Sequence, residues 1–405
     1  MKETSKTTST SQFFLWFGAS ISIAEIMTGA LVAPLGFQKG VSTIFVGHLI
    51  GMFILFGAAW MSSKNRQNAI ASTEGTFGKT GAKFFATLNM VQLVGWAAVV
   101  ITMGTHALRT ISIERFALGD TPLWAIAIGA LLICWIVVGL KKMSIVHSVI
   151  VFFLFLFTLV LAYTIFGQHP LVFQAAAGAS SITYSEAVEL STVMCLSWLP
   201  VIGDYSKFLQ KPLQGTVTSV FAYGIGSSFM FILGLGGALY VGSADIGQIL
   251  LASGFGLIAL FLIFLSTIVT TFLDCFSAGV NCQLLFKRVN PKVASILFTI
   301  FAVFVALTVP SSVYEQFLYW IGSIFAPLYG ILFMHEYVLK KRVPSFYPIY
   351  AMFVWVVGVC SYYATLSIHL LFGHTIWILI GTGLIYGFGC FLLHKLAVRK
   401  KTVEG

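Results

Sequence analysis

The sequence predicts an all-α polytopic membrane protein of twelve transmembrane helices. Three observations lead there. Of its 405 residues, 58% are apolar and only 9% are charged, against about 25% charged in an average soluble domain. Between Arg342 and Lys395, 52 residues pass without Asp, Glu, Lys or Arg, room for two spans of about 20 residues each. Finally, carboxylates stand beside helix-weakening Pro and Gly in two spans that lie five apart, the pattern of an inverted repeat.

Apolar runs place the spans at 13–35, 41–61, 84–107, 122–140, 143–166, 185–208, 216–241, 249–283, 293–310, 314–338, 345–371 and 375–396. With the N-terminus in the cytoplasm, 20 of the 23 Lys and Arg fall on the cytoplasmic side, and only Lys39, Arg109 and Arg115 on the other. Such a short-loop bias sets orientation, so both termini are expected in the cytoplasm of a chain embedded in the plasma (cytoplasmic) membrane. The net charge of +10 then reflects loop placement; the expected partner is the lipid bilayer, not nucleic acid. The apolar run from Phe13 outlasts a signal h-region, so no cleavable leader is expected. Six cysteines (134, 195, 275, 282, 360 and 390) form no CxxC pair and read as small buried apolar residues rather than a disulfide frame or metal site.

Residues 1–12, rich in Ser, Thr and Lys, read as a mobile cytoplasmic tail. Span 1 carries Glu25 inside Ser22–Pro34. An ionisable group at membrane depth costs roughly 3 kcal/mol and marks a functional site by default. Gly29 and Pro34 follow it, and irregular backbone there must be buried in protein or line a cavity. The bland alternative is a kinked helix whose Glu pairs with a neighbour. In span 2, His48 sits between Gly47 and Gly51 and reads as a satisfied bundle histidine before a proton relay. Ser62 to Lys83 reads as the longest cytoplasmic loop. Span 3 then places Asn89, Gln92 and Trp96 on one helix face, facing inward; Trp96 is either core or ligand-facing. Spans 4 and 5 form a tight hairpin at Lys141–Lys142, and the outer segment 167–185 is small and polar.

Span 6 repeats the theme, with Trp198, Pro200, Gly203 and Asp204 at an interruption. Glu186 and Glu189 are expected in the outer mouth or on a solvated rim, and Asp204 with Lys207 as a structural pair. Span 7 is Gly-rich, which favours close helix contact. Span 8 aligns Thr267, Thr270, Thr271 and Asp274 in one polar stripe. A lone Thr often bonds back to its own helix; four groups ending in an acid mean more. Span 10 contains Gly322, Ser323, Pro327 and His335-Glu336. Spans 11 and 12 are plain and expected to be peripheral. The spacing predicts repeats at 13–166 (helices 1–5) and 185–338 (helices 6–10) in inverted topology, then helices 11 and 12 at 345–396 and a cytoplasmic tail at 397–405. Breaks in spans 1 and 6 would expose free backbone carbonyls and amides near the midplane.

Several of these segments resemble the nucleobase:cation symporter-1 family. Ser197 to Phe208, which includes Asp204-Tyr205-Ser206-Lys207-Phe208, is similar to its span-6 "DYxRF" signature; Gly95-Trp96 is similar to its span-3 Trp motif. Gly322 to Tyr337 resembles its span-10 element, with His335-Glu336 where a residue-Asp pair is usual, and Thr270-Thr271 to Gly279 resembles its span 8. Glu25, Asn89 to Gln92, and Leu273-Asp274 are similar to the branch of hydroxymethylpyrimidine permeases, relatives of cytosine permease. The resemblance covers spans 1–10 and, in length, all twelve. It implies a LeuT-like five-plus-five inverted-repeat fold, alternating access, and symport of a nucleobase-like ring with Na+ or H+, without a cofactor. It implies that Trp96 stacks on the ring, that Trp198 lies close to the ligand segment, and that Thr270 and Thr271 bind Na+ with carbonyls near Glu25. The family's span-8 Asn is not evident, with Asp274 nearby, which leaves the polar contact and the coupling ion open.

The expected substrate is a pyrimidine-type small molecule such as hydroxymethylpyrimidine, a thiamine precursor, with cytosine, a purine or a hydantoin as alternatives. Expected substrate contacts are Glu25, Gln92, Trp96, Trp198, Asn89 and Asp274. Expected cation ligands are Thr270, Thr271, Thr267 and the Ala24 carbonyl; if the acids titrate instead, Glu25 or Asp274 carries a proton. An enzyme is not expected: the eight His are scattered without HExxH. A sensor is disfavoured because no segment outside the spans is long enough for a soluble domain. A monomer is expected.

Overall fold

The computed structural model describes residues 7–138, 140–167, 182–252, 256–339 and 347–404. Lys2, Lys6, the basic cluster Lys340–Arg342 and most of the outer segment 167–185 lie outside the described residues. The helices in order are α1 (Ser9–Ser20), α2 (Ile23–Leu31), α3 (Phe37–Asn65), α4 (Glu74–Phe116), α5 (Thr121–Val138), α6 (Leu140–Gly167), α7 (Tyr184–Leu196), α8 (Leu199–Ser206), α9 (Pro212–Val241), α10 (Ile246–Ala252), α11 (Gly256–Leu285), α12 (Pro291–Thr308), α13 (Tyr314–Phe333), α14 (Pro348–Thr365) and α15 (His374–Glu404). Among the described residues eleven spans are long and apolar enough to cross a bilayer. The pair Ser9–Ser20 and Ile23–Leu35, bent by 53°, makes the twelfth.

The first break lies before Glu25, not after it. Ile21 (ψ 75°) and Ser22 (φ −134°, ψ 157°) leave helical geometry, and the Ser20 hydroxyl bonds back to the Phe17 carbonyl at 2.7 Å. A Ser hydroxyl bonded back to a nearby carbonyl competes with the helix ladder. Gly29, expected to weaken the helix, stays inside α2. Its missing Cβ serves packing: a side chain there would strike the Phe231 backbone of α9, and one at Gly234 would strike the Ile26 carbonyl. Gly234→Val is therefore expected to cost more than the ~3 kcal/mol upper range of ordinary overpacking, because backbone cannot yield as a side chain can. Size-exclusion chromatography should show loss of the folded monodisperse protein. Gly381→Ala, where a Cβ meets open space, should elute unchanged.

The second break is milder. Ser197 (φ −57°, ψ −25°) and Trp198 (φ −90°, ψ −8°) remain right-handed, while Pro200 in the first turn of α8 has no N–H to continue the ladder. Counterpart spans pack in pairs, α3 on α9, α4 along α11 and α5 against α12. A two-fold pseudo-axis between two five-helix halves produces such pairing. The span α7–α8 is the most enclosed, 89% of its central window being buried, against 22% for α12. Spans 6, 8 and 10 thus form the interior, and α5, α12, α14 and α15 face outward.

Several expectations need correction. The segment 62–83 is largely helical: α3 runs to Asn65, α4 starts at Glu74 and kinks at Gly78 (φ 72°). The tail is shorter than expected, because α1 begins at Ser9 and Thr7 pairs with Phe208 and Gln210 through backbone bonds of 2.9 and 3.1 Å. At the other end α15 continues to Glu404. Span 8 begins at α11; α10 is a separate short helix. Cys134 and Cys360 are exposed rather than buried. Lys207 bonds to Asn68 in addition to its interaction with Asp204.

Glu189 is not at the outer mouth. It is fully buried and its carboxyl accepts the Tyr362 hydroxyl of α14 (2.5 Å), the Thr375 hydroxyl of α15 (2.6 Å) and the Thr375 amide (3.0 Å). Glu186 caps α7, accepting the Thr183 amide at 2.7 Å.

Candidate functional site

A small cavity lies between the two breaks, lined by Ala19, Ser22, Ala24 and Glu25 from span 1, Gln92, Leu93, Trp96 and Val100 from α4, Met194, Ser197 and Trp198 from span 6, and Thr270 and Asp274 from α11. Four elements distant in sequence thus converge on one point. Its free volume is about 20 Å³; a water needs roughly 10–15 Å³, so a ring enters only when the helices part.

Glu25 sits in the first turn of α2 and is 2% exposed. Its carboxyl accepts the Tyr223 hydroxyl at 2.9 Å and meets the Ser227 hydroxyl at 2.7 Å, both from α9. Ser227 in turn meets His48 Nε2 at 2.6 Å, while His48 Nδ1 meets the Ile44 carbonyl at 2.9 Å. His48 is thus satisfied, as expected, and also wired to Glu25. Asp274 makes no hydrogen bond among the described residues. Gln92 donates its amide to the Ser197 carbonyl at 2.6 Å. That carbonyl is freed by the second break, so Gln92 ties α4 to span 6. Its Oε1 and the Trp96 Nε1–H are buried without a partner among the described residues. Leaving a buried polar atom unmet costs about 1–3 kcal/mol, which a polar ligand in the cavity would recover.

Of the ten predicted residues, Glu25, Gln92, Trp96, Trp198, Asp274, Thr270 and Ala24 line the cavity. Asn89 does not; it is buried a turn away with both side-chain polar atoms unmet among the described residues. Thr267 packs on Gly104 of α4. Thr271 is buried with its hydroxyl unpartnered among the described residues. The Thr270 hydroxyl donates to the Ser266 carbonyl at 3.0 Å, and the Ala24 carbonyl already accepts the Thr28 hydroxyl at 2.7 Å.

Aromatic rings flank the cavity. On one side Trp198 meets Trp16 edge to face at 5.5 Å, and Trp16 meets Tyr205 at 5.8 Å. On the other, Trp96 meets Tyr314 at 6.0 Å and Phe317 at 5.5 Å, and the Tyr314 hydroxyl bonds Thr28 at 2.6 Å. Beyond this second layer lies an apolar cavity of about 320 Å³ against Met27, Ala98, Val309 and Trp320. Sequence reasoning missed Trp16, Tyr223, Ser227 and Tyr314. The only local signal was Tyr223 and Ser227, one helical turn apart among the glycines of span 7.

Residues 2–380 match the profile of a family described as permease for cytosine/purines, uracil, thiamine, allantoin. The chain belongs to this permease family. A relative, the purine-cytosine permease fcyB of Emericella nidulans, is 25% identical over 366 residues, covering 81% of this chain and 69% of that protein. Among solved structures, the inward-facing conformation of Mhp1 superposes with a TM-score of 0.79 at 16% identity, covering 97% of this chain and 92% of that one. Mhp1, a nucleobase-cation-symport-1 family transporter, in a closed conformation with bromovinylhydantoin bound gives 0.78 at 16% identity, over 96% and 94%. A substrate-bound, outward-open Na+-coupled sialic acid symporter gives 0.69 at 14% identity, over 96% and 89%. At these identities the structures speak for the fold, which is LeuT-like, as the broken helices 1 and 6 predict. A member of this permease family is a multi-pass membrane transporter of the nucleobase–cation symporter type, not an enzyme.

Proposed function

We propose that this permease imports a pyrimidine-type ring, with hydroxymethylpyrimidine as the substrate, by cation symport across the cytoplasmic membrane, with both termini in the cytoplasm and repeats at 13–166 and 185–338. The observation that carries this reading is the convergence of two carboxyl groups, a free amide oxygen and an indole N–H on one cavity between the helix breaks. An aminopyrimidine offers a ring-nitrogen acceptor beside an NH2 donor. A protonated carboxyl pairs with both atoms at once. Asp274 is free to take that edge, since both Glu25 oxygens are already engaged. Gln92 Oε1 then accepts from the ring's other side, and Trp96 and Trp198 supply apolar faces with polar tips. Parting of the Trp96–Tyr314–Phe317 layer would open the site to the larger apolar cavity, and parting of the Trp16–Trp198 layer would open it to the opposite side.

For the coupling ion, Na+ is supported by the Thr271 hydroxyl, buried without a partner among the described residues, beside Thr270. Because Thr28 already occupies the Ala24 carbonyl, the broken segment Ala19–Ser22 is the better backbone source. A proton is the second reading, supported by the two cavity acids.

Uptake of radiolabelled hydroxymethylpyrimidine and cytosine into proteoliposomes, with Na+ and H+ gradients imposed separately, tests the whole reading. Accumulation of hydroxymethylpyrimidine driven by Na+ is expected. Thr270→Ala with Thr271→Ala should then raise the Na+ concentration for half-maximal uptake at least tenfold and leave the substrate affinity at saturating Na+ within about twofold. An unaltered Na+ response would remove the sodium site from these hydroxyls, and no transport of either ring would cancel the substrate.

A further inference from the structure

The contacts among Glu25, Ser227 and His48 are satisfied together at a single proton count. His48, Ser227 and Glu25 are 1%, 0% and 2% exposed, so their partners lie within the protein. His48 Nδ1 lies 2.9 Å from the Ile44 carbonyl, which can only accept, so Nδ1 carries a hydrogen. His48 Nε2 then has two states. If bare, it accepts the single Ser227 hydrogen, and the 2.7 Å contact from Ser227 Oγ to Glu25 Oε2 must be bridged by a hydrogen on Glu25. If protonated, it donates to Ser227 Oγ, and Ser227 donates to an ionised Glu25. Tyr223 donates to Glu25 Oε1 in both cases. Either way the trio carries one proton more than ionised Glu25 with neutral His48, and its net charge is zero. Removing that proton strands one of two short hydrogen bonds and leaves an uncompensated charge at membrane depth.

We propose that Glu25, Ser227 and His48 form a proton-holding relay, in which a proton moves between Glu25 and His48 through the Ser227 hydroxyl. In the transfer the Glu25 Oε2–H bond breaks as a Ser227 Oγ–H bond forms, and the original Ser227 hydrogen passes to His48 Nε2. No proton is gained or lost, and no co-reactant is needed. The relay lets the cavity present either a neutral carboxyl or a carboxylate without exchange with solvent. Ser227 and His48 thereby become positioning residues that set the form of Glu25. The other titratable groups facing the trio are Tyr223 of α9, Cys195 of α7, Tyr314 of α13 and Asp274 across the cavity; none of them bridges Glu25 to His48. The link to transport rests on the cavity being the substrate site, but the relay itself is tested without substrate.

The test uses the purified full-length chain, ligand-free in lipid nanodiscs near neutral pH. Infrared spectra compared with Glu25→Gln report whether Glu25 is protonated, and ¹⁵N NMR of labelled histidine reports whether His48 carries one hydrogen or two. The expected result is one shared proton: a protonated Glu25 beside singly protonated His48, or an ionised Glu25 beside doubly protonated His48. An ionised Glu25 beside singly protonated His48, or a proton on both, would overturn the relay. Ser227→Ala removes the bridge and keeps both ends. It should move loss of the shared proton by at least one pH unit; an unshifted titration overturns the relay. Failure of uptake with an intact proton count would sink the substrate reading and leave the relay standing.

Discussion

Glu25→Gln is expected to lower uptake on the order of a hundredfold while the protein still inserts, folds and elutes as wild type. The two halves of this expectation have separate causes. Folding survives because the amide is isosteric and reproduces one hydrogen-bond pattern of the wild-type site. Gln Oε1 accepts the Tyr223 hydroxyl, and its NH2 donates to Ser227, which donates to His48. No buried group is left unmet. Transport fails because Gln can neither ionise nor hold a transferable proton. A hundredfold loss corresponds to about 2.7 kcal/mol. Initial-rate uptake normalised to protein reconstituted in proteoliposomes checks it. Wild-type uptake by Glu25→Gln would remove Glu25 from the transport cycle. Asp274→Asn in parallel separates the acids: if Asp274 meets the ring edge, its loss should appear in substrate affinity first.

Glu25 was legible because a carboxylate among lipid-facing residues has few reasons to exist. The twelve spans were legible because apolar length and Lys/Arg placement are counted along the chain. What surrounds Glu25 was not, because Ser227 and Tyr223 are about two hundred residues away in sequence and pair with it only after α2 and α9 cross. The position of the first break was misjudged for a local reason. Gly29 signals either a weak helix or a close crossing, and here the missing Cβ admits the Phe231 backbone. The Ser20-Ile21-Ser22 segment where the helix breaks is a weaker pattern in sequence than Gly with Pro. The polar stripe of α11 was legible as a stripe. Its division was not: Thr270 and Asp274 face the cavity while Thr267 meets Gly104, because α4 covers part of the same face.

Glu189→Ala should destabilise the protein by about 3 kcal/mol, the low end for removing one partner from a buried charged or polar network. The sequence placed Glu189 near water, where its loss would cost little. In the fold it is fully buried, and three donors from the two outer helices converge on it. Gly373 (φ 82°) turns the chain so that the Thr375 amide reaches the carboxyl, and a Cβ there would collide with it. Alanine leaves the Tyr362 hydroxyl, the Thr375 hydroxyl and the Thr375 amide to be satisfied elsewhere. The hydroxyls can rotate to other acceptors; the amide cannot. Tyr362→Phe removes one donor and leaves the acceptor two others, so it should cost about 1 kcal/mol. Denaturant unfolding in micelles distinguishes the two. If both variants unfold with wild type, the carboxyl contributes no stability, and packing with other bonds, such as that from the Trp355 indole N–H to the Ile324 carbonyl, holds α14 and α15 to the bundle. If Glu189→Ala is several-fold more costly than Tyr362→Phe, two helices that read as plain lipid-facing passes are fastened to span 6 by one buried acid. Span 6 also carries the second break and Trp198, so that fastening bears directly on the helix that lines the cavity.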